Sequence, residues 1–207
     1  MAGLCQIDLE QEDQKIVSKV QPVDVLTFDE WPGIDFLPEL LAAYVTPNHP
    51  VIQQICRDVA VQMNLWTGNP SLDGYSSKSP TRVKQQFSAV YSVLQSYQLV
   101  YSVPPASFER AGQRVRLSDT VISQKKATCL DLTLLYASCL EGLGLNPILV
   151  IMDGHAFIGV WLEEMSFPEI IQDDVSMLSK RIAKGIETIA VAECTTLTAR
   201  SEERRVG

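Results

Sequence analysis

Two residues within the stretch SQKKATCLDLTLLYASCLEGLGLNPILVIMDGHAFIGVWL, residues 123–162, are types that do nucleophilic chemistry together: Cys129 and His155. A thiol attacks a carbonyl only as its thiolate, so it needs an environment that favours the anion and a base within hydrogen-bond reach. Thr128 precedes the cysteine and Asp131 follows the threonine by three positions, the pattern of a capping box that opens a helix. Cys129 is then the first residue of a helix predicted over 129–143. Its sulfur faces unpaired N–H groups and the positive end of the helix dipole, and Lys125 and Lys126 add positive charge nearby. The other four cysteines lack such a setting. Cys139 sits mid-helix among leucines, and Cys5, Cys56 and Cys194 are read, like most free cysteines, as small buried hydrophobes.

His155 follows Asp153-Gly154 and opens a run, HAFIGVWL, in which residues 155, 157, 159 and 161 share one face of a strand. A base on a strand edge is held rigidly and yet open to a cleft. It also needs a partner that sets its tautomer. Glu193, alone in the apolar run IETIAVAECTTL, is the candidate, since a carboxylate in such a strand asks for a neighbour. Among the rivals, Asp131 is accounted for as a cap, Asp153 as turn chemistry, and Asp119 has no further support. The Cys129 backbone N–H is one natural oxyanion donor, and the Gln124 side chain is a candidate second. With two histidines and five cysteines lacking HxxxH or CxxC spacing, no metal centre is expected, nor any organic cofactor. His49, at the start of a helical run, reads as a capping or surface residue.

The elements that must position these groups follow from periodicity. Residues 1–16 are polar and acidic, an arm of low expected order, and 16–36 carry a strand or two and a turn broken by Pro22, Pro32 and Gly33. A short helix begins near Pro38. A longer one follows Asn48, the predicted cap, with Val51, Ile55, Val59 and Met63 four apart. A loop at 68–78 leads to a helix opened by Ser79-Pro80, then a strand in YQLVYSV. A long connection over 104–127, with hairpin character near Gly112, precedes the cysteine helix; connections of that length are often functional. Strands at 147–152, 155–162 and 187–195, with a helix near 173–186, complete an α+β fold in which helices pack on an antiparallel sheet.

Length and composition set limits. A chain of 207 residues with 46% apolar residues builds one good-sized domain. A formal charge of -8 argues against autonomous nucleic-acid binding. The odd cysteine count and the lack of an apolar leader or a long apolar span point to a cytoplasmic protein that does not enter a membrane.

The order Cys129, His155, Glu193 resembles that of the transglutaminase-like superfamily of cysteine enzymes. The motifs PNHP, DGY, YSVPPASFE, GQRVRL, TCLDLTLLYASCLE, GLNP and GHAFIGVWL resemble one branch of it, found in large bacterial multidomain proteins beside helicase-type ATPase and nuclease-like modules. The likeness runs from about Phe28 to Thr196. It departs from the pattern at Ala127, where glycine is usual, and at Glu193, where aspartate is usual. The resemblance implies a papain-like core, with an N-terminal helical cluster on an antiparallel sheet, in a domain spanning 28–199 between an N-terminal arm (1–27) and a charged tail (200–207). It implies Cys129 as nucleophile, His155 as base and Glu193 as the orienting acid, acting on a peptide or protein substrate in a module of a larger protein with ATPase or nuclease neighbours. Hydrolysis of a peptide or amide is the expected reaction. The other expectation is a non-hydrolytic module that keeps the cleft to dock a peptide or a partner.

Overall fold

The structure is a computed structural model that describes residues 2–12 and 14–198, so the tail expected at 200–207 lies outside the described residues. The chain divides into two units, residues 1–30 and 31–207.

In the first unit β1 (Ala2–Gln11) and β2 (Gln14–Asp24) form an antiparallel hairpin with a register shift between Leu9 and Glu10. Low order expected over residues 1–16 gives way to this hairpin because apolar residues pair across the strands, as Leu9 does with Val17. The polar face is tied by Asp8, which accepts from Ser18 Oγ at 2.6 Å and pairs with Lys15 at 2.7 Å. Cys5 is exposed here, not buried as the sequence suggested.

β3 (Glu30–Trp31) spans the division, and Trp31 is fully buried in the second unit. A 3₁₀ turn (Pro38–Tyr44) leads to α1 (Pro50–Thr67). His49, not Asn48, caps α1: its Nδ1 accepts from the Val51 N–H at 3.2 Å. This is the capping role anticipated for it, and Pro50 takes the first turn, where its missing N–H costs nothing. Ser79 caps α2 (Pro80–Ser96) in the same manner.

The connection before the cysteine helix carries more structure than a hairpin. The predicted strand in YQLVYSV is β4 (Val100–Tyr101), and the connection holds α3 (Phe108–Ala111), β5 (Gln113–Arg114), α4 (Ser118–Gln124) and β6 (Lys126–Ala127). Strand β6 pairs in parallel with β4, Tyr101 opposite Ala127. Gly112 (φ 77°) allows this path, because a Cβ there would stand 2.1 Å from the Trp31 carbonyl oxygen.

Helix α5 (Cys129–Gly142) is the hub. Every residue from Cys129 to Leu140 is buried, the pattern of a helix wrapped on all sides. It packs on α1, α2 and α4 and on the sheet formed by β7 (Pro147–Met152), β8 (His155–Trp161) and β9 (Ile189–Ala192). Its buried polar side chains are satisfied: the Tyr136 hydroxyl donates to the Phe87 carbonyl at 2.6 Å and the Ser138 hydroxyl to that of Leu134 at 2.8 Å. The sheet is antiparallel with β8 central, and α6 (Val175–Ile182) inserts between β8 and β9. The arrangement is α+β, with α5 packed between the other helices and the antiparallel β7–β8–β9 sheet. No helix among the described residues is long and apolar enough to cross a membrane.

Candidate functional site

Cys129 opens α5 as predicted. Thr128 Oγ1 accepts from the Asp131 N–H at 3.2 Å, and the Asp131 carboxylate accepts from the Thr128 N–H at 2.8 Å, closing the capping box. Asp131 does more than cap. Fully buried, it also accepts from the Arg116 N–H at 2.8 Å and from the Arg116 guanidinium at 2.9 Å. Gln113, 7% exposed, donates through Nε2 to Thr128 Oγ1 at 3.3 Å. The segment GQRVRL therefore braces the start of the cysteine helix. Its sequence carries no periodic signal for this, because the contacts span about fifteen residues.

His155 opens β8 after the two-residue turn Asp153-Gly154, with Met152 paired opposite it. Ala156, Ile158 and Val160 are buried in the clusters that also hold α5 residues, while His155 and Phe157 are half-buried with ring centroids 6.2 Å apart. The β8–β9 register ends where Ile158 faces Ala192, and Glu193 follows immediately. There the imidazole Nε2 lies 2.6 Å from Glu193 Oε2. Glu193 is more exposed than a strand interior would make it, because the strand predicted over 187–195 stops at Ala192. Burial pushes its carboxyl up, but the Thr195 N–H (2.8 Å), the Thr195 hydroxyl (2.7 Å) and His155 together hold it below the ordinary glutamate value. An ionised carboxylate only accepts, so Nε2 carries the proton of the neutral ring and Nδ1 holds the lone pair.

The sulfur lies where β9 runs out. With pairing ended at Ile158, the next N–H on that edge of β8 is Ala156's, and it favours the thiolate of Cys129. The Tyr101 hydroxyl and the N–H groups of Leu130 and of Cys129 itself act in the same direction. Burial nevertheless wins, and the thiol is raised above its ordinary value. The cysteine is 0% exposed. The dipole-driven thiolate expected from the sequence is thus opposed by desolvation, and Lys125 and Lys126, both exposed, are not among the groups that offset it. The structure joins His155 to Glu193 directly. It brings Cys129 to the backbone of the adjacent residue, Ala156, with no direct sulfur–imidazole hydrogen bond among the described contacts.

Gln124 does not join this cluster. It ends α4 with its side chain exposed, and Lys125 at φ 52° turns the chain away before β6. Tyr101, which sequence reading missed, stands at the sulfur instead. Its only signal was a place in an aromatic, β-branched run ahead of a long loop. Burial, the adjacent thiol and Glu193 push the Tyr101 phenol up to about 12, so it remains a donor at any physiological pH. Tyr101→Phe removes a hydroxyl that favours the Cys129 thiolate. The rate of Cys129 alkylation at pH 7 should fall about three- to tenfold, the worth of one hydrogen bond of about 0.5–1.5 kcal/mol. An unchanged or faster rate would show that the phenol does not stabilise the anion.

The remaining buried thiols are poor nucleophiles. Desolvation raises Cys56 to about 11 and Cys194 to about 12, and raises the fully buried Cys139 well above its ordinary value. An open cleft of about 670 Å³ bounded by Asp73, Tyr75, Lys78, Leu143 and Glu163 contains none of the site residues. No family model, curated protein or solved structure matches the chain.

Proposed function

We propose that the domain is a transglutaminase-like cysteine enzyme that transfers acyl groups through a thioester on Cys129, most simply as a peptidase or amidase of the cytoplasm. The observation that carries this reading is the 2.6 Å contact between His155 Nε2 and Glu193 at the end of β9, beside the helix start that presents Cys129. In the proposed cycle a carbonyl carbon reaches the sulfur after the phenol of Tyr101 gives way. His155 Nδ1 takes the thiol proton as sulfur attacks, and Glu193 stabilises the imidazolium that forms. Because burial keeps the resting thiol protonated, proton transfer accompanies attack instead of preceding it. The backbone N–H groups of Cys129 and Ala156 face the developing oxyanion. The imidazolium returns its proton to the leaving amine, and water, deprotonated by the same nitrogen, releases the acid.

Incubation with p-nitrophenyl acetate tests this reading in a Cys5→Ser background, which removes the exposed thiol. Acid quench and peptide mass analysis should find one acetyl group, on Cys129. Acetyl on another residue, or none at all, would sink the proposal.

The full burial of Cys129 and its raised thiol favour a second reading, a module that keeps the fold to dock a peptide or a neighbouring ATPase module without turnover. The same experiment separates the two.

The Glu193 contact has a pH signature. Its folded-state value is depressed, so the stability it contributes is fully present above the ordinary value of 4.5 and is lost as pH falls through the lower folded value. The Tm difference between wild type and Glu193→Gln should shrink progressively as pH falls below 4.5. A difference that does not shrink on acidification would mean that the carboxylate's charge is not what His155 and Thr195 hold.

A further inference from the structure

The loop before α5 reaches the base as well as the nucleophile. Glu109, on α3, is 5% exposed, and its Oε2 accepts from the Gly154 N–H at 3.1 Å. Gly154 is the second residue of the Asp153-Gly154 turn and directly precedes His155. It adopts φ 67°, and the turn sets the strand register that begins with Met152 opposite His155. The N–H of such a residue points out of the hairpin, and here a buried carboxylate receives it. The backbone of Glu109 is anchored in turn, its carbonyl accepting from the Ile34 N–H at 2.7 Å. Phe108 beside it is fully buried in the cluster that contains Cys129, Leu130 and Ala156.

We infer that Glu109 is a positioning residue for the His155 base: by holding the Gly154 N–H it fixes the turn from which the imidazole departs. The inference rests on the cysteine-enzyme reading for its consequence in catalysis and on the hydrogen bond alone for its consequence in structure. His155 has its ring held at one end by Glu193. The other constraint on the ring is where its Cα sits, and that is set by the turn. A strand start that frays lets the ring leave Glu193 and exchange tautomers, since the 2.6 Å contact tolerates little displacement. Together with Gln113 at Thr128 and Arg116 at Asp131, Glu109 makes residues 109–116 a single strap fastened to both halves of the site.

The test compares Glu109→Ala with Glu109→Gln, whose amide oxygen can still accept from Gly154. The chain has only two histidines, so the imidazole ¹⁵N resonances of His155 are assigned by comparison with His49→Gln. In wild type and Glu109→Gln, His155 should show one tautomer with the proton on Nε2. In Glu109→Ala its signals should broaden or show a mixture. Turnover of p-nitrophenyl acetate should follow: kcat falls tenfold or more in Glu109→Ala with KM within twofold, and Glu109→Gln stays within twofold of wild type. Should Glu109→Ala not fold, Glu109→Asp, one methylene too short to reach, makes the same comparison. A folded Glu109→Ala or Glu109→Asp with unchanged His155 resonances overturns the inference, as does a Glu109→Gln that behaves like the alanine variant. Failure of the enzyme reading shows itself separately, as a wild type that acquires no acetyl group on Cys129, and leaves the resonance comparison to decide the role of Glu109.

Discussion

His155→Ala, measured in the Cys5→Ser background, should lower the rate of p-nitrophenolate release from Cys129 by about 10²–10⁴-fold, the usual worth of a general base. The physical reason is specific to this site. The thiol is desolvated, and the donors around it (the Ala156, Leu130 and Cys129 N–H groups and the Tyr101 hydroxyl) do not bring it down to its ordinary value. Without a base, the population of thiolate at neutral pH is small, and the reaction must proceed through it. Alanine at position 155 leaves the Ala156 N–H, the capping box and the helix dipole in place, so the loss reports the imidazole alone. Raising the pH should therefore restore part of the rate in the variant, as hydroxide does what the ring no longer can. A variant within tenfold of wild type at pH 7 would mean that His155 and Glu193 form a structural pair and that Cys129 reacts, if at all, unassisted.

The second large effect is on stability. Asp131→Ala deletes a carboxylate with no exposed surface that accepts from the Thr128 N–H, the Arg116 N–H and the Arg116 guanidinium. Removing a fully buried carboxylate strands two N–H groups and the half-buried Arg116 guanidinium and costs about 3–5 kcal/mol. In a domain of this size that is a fall in Tm of roughly 6–20 °C. Asp131→Asn retains one acceptor oxygen and should lose less. The loss should be accompanied by slower acylation of Cys129, because the same carboxylate sets the first turn of α5. A Tm within about 2 °C of wild type would show that the strap holds without it.

Parts of this site are legible in the sequence because they are local. The capping box needs only Thr128 and Asp131 three residues apart, and helix geometry does the rest. The turn before His155 needs only Asp153-Gly154 between two apolar runs. Glu193 emerged as a partner because a lone carboxylate in an apolar run must be met by something, although the strand ends sooner than the pattern suggested. The long connection illustrates the opposite case. Its hairpin character around Gly112 resolved into short helices and strands because pairing with β4 and burial of Phe108 outweigh local preference. Gln124 was nominated by its nearness along the chain, and the end of α4 turned it outward.

What the sequence determined by itself is the candidate site residues and the elements that carry them: a cysteine at a helix start, a histidine at a strand start, and an α+β order of elements. Tertiary structure alone decided which donors meet the sulfur, that it is buried, and that Glu109, Gln113, Arg116 and Tyr101 brace the site. Capping and turn formation depend on neighbours within four residues. Desolvation and long-range hydrogen bonds depend on which surfaces exclude water together, and that is a property of the packed chain.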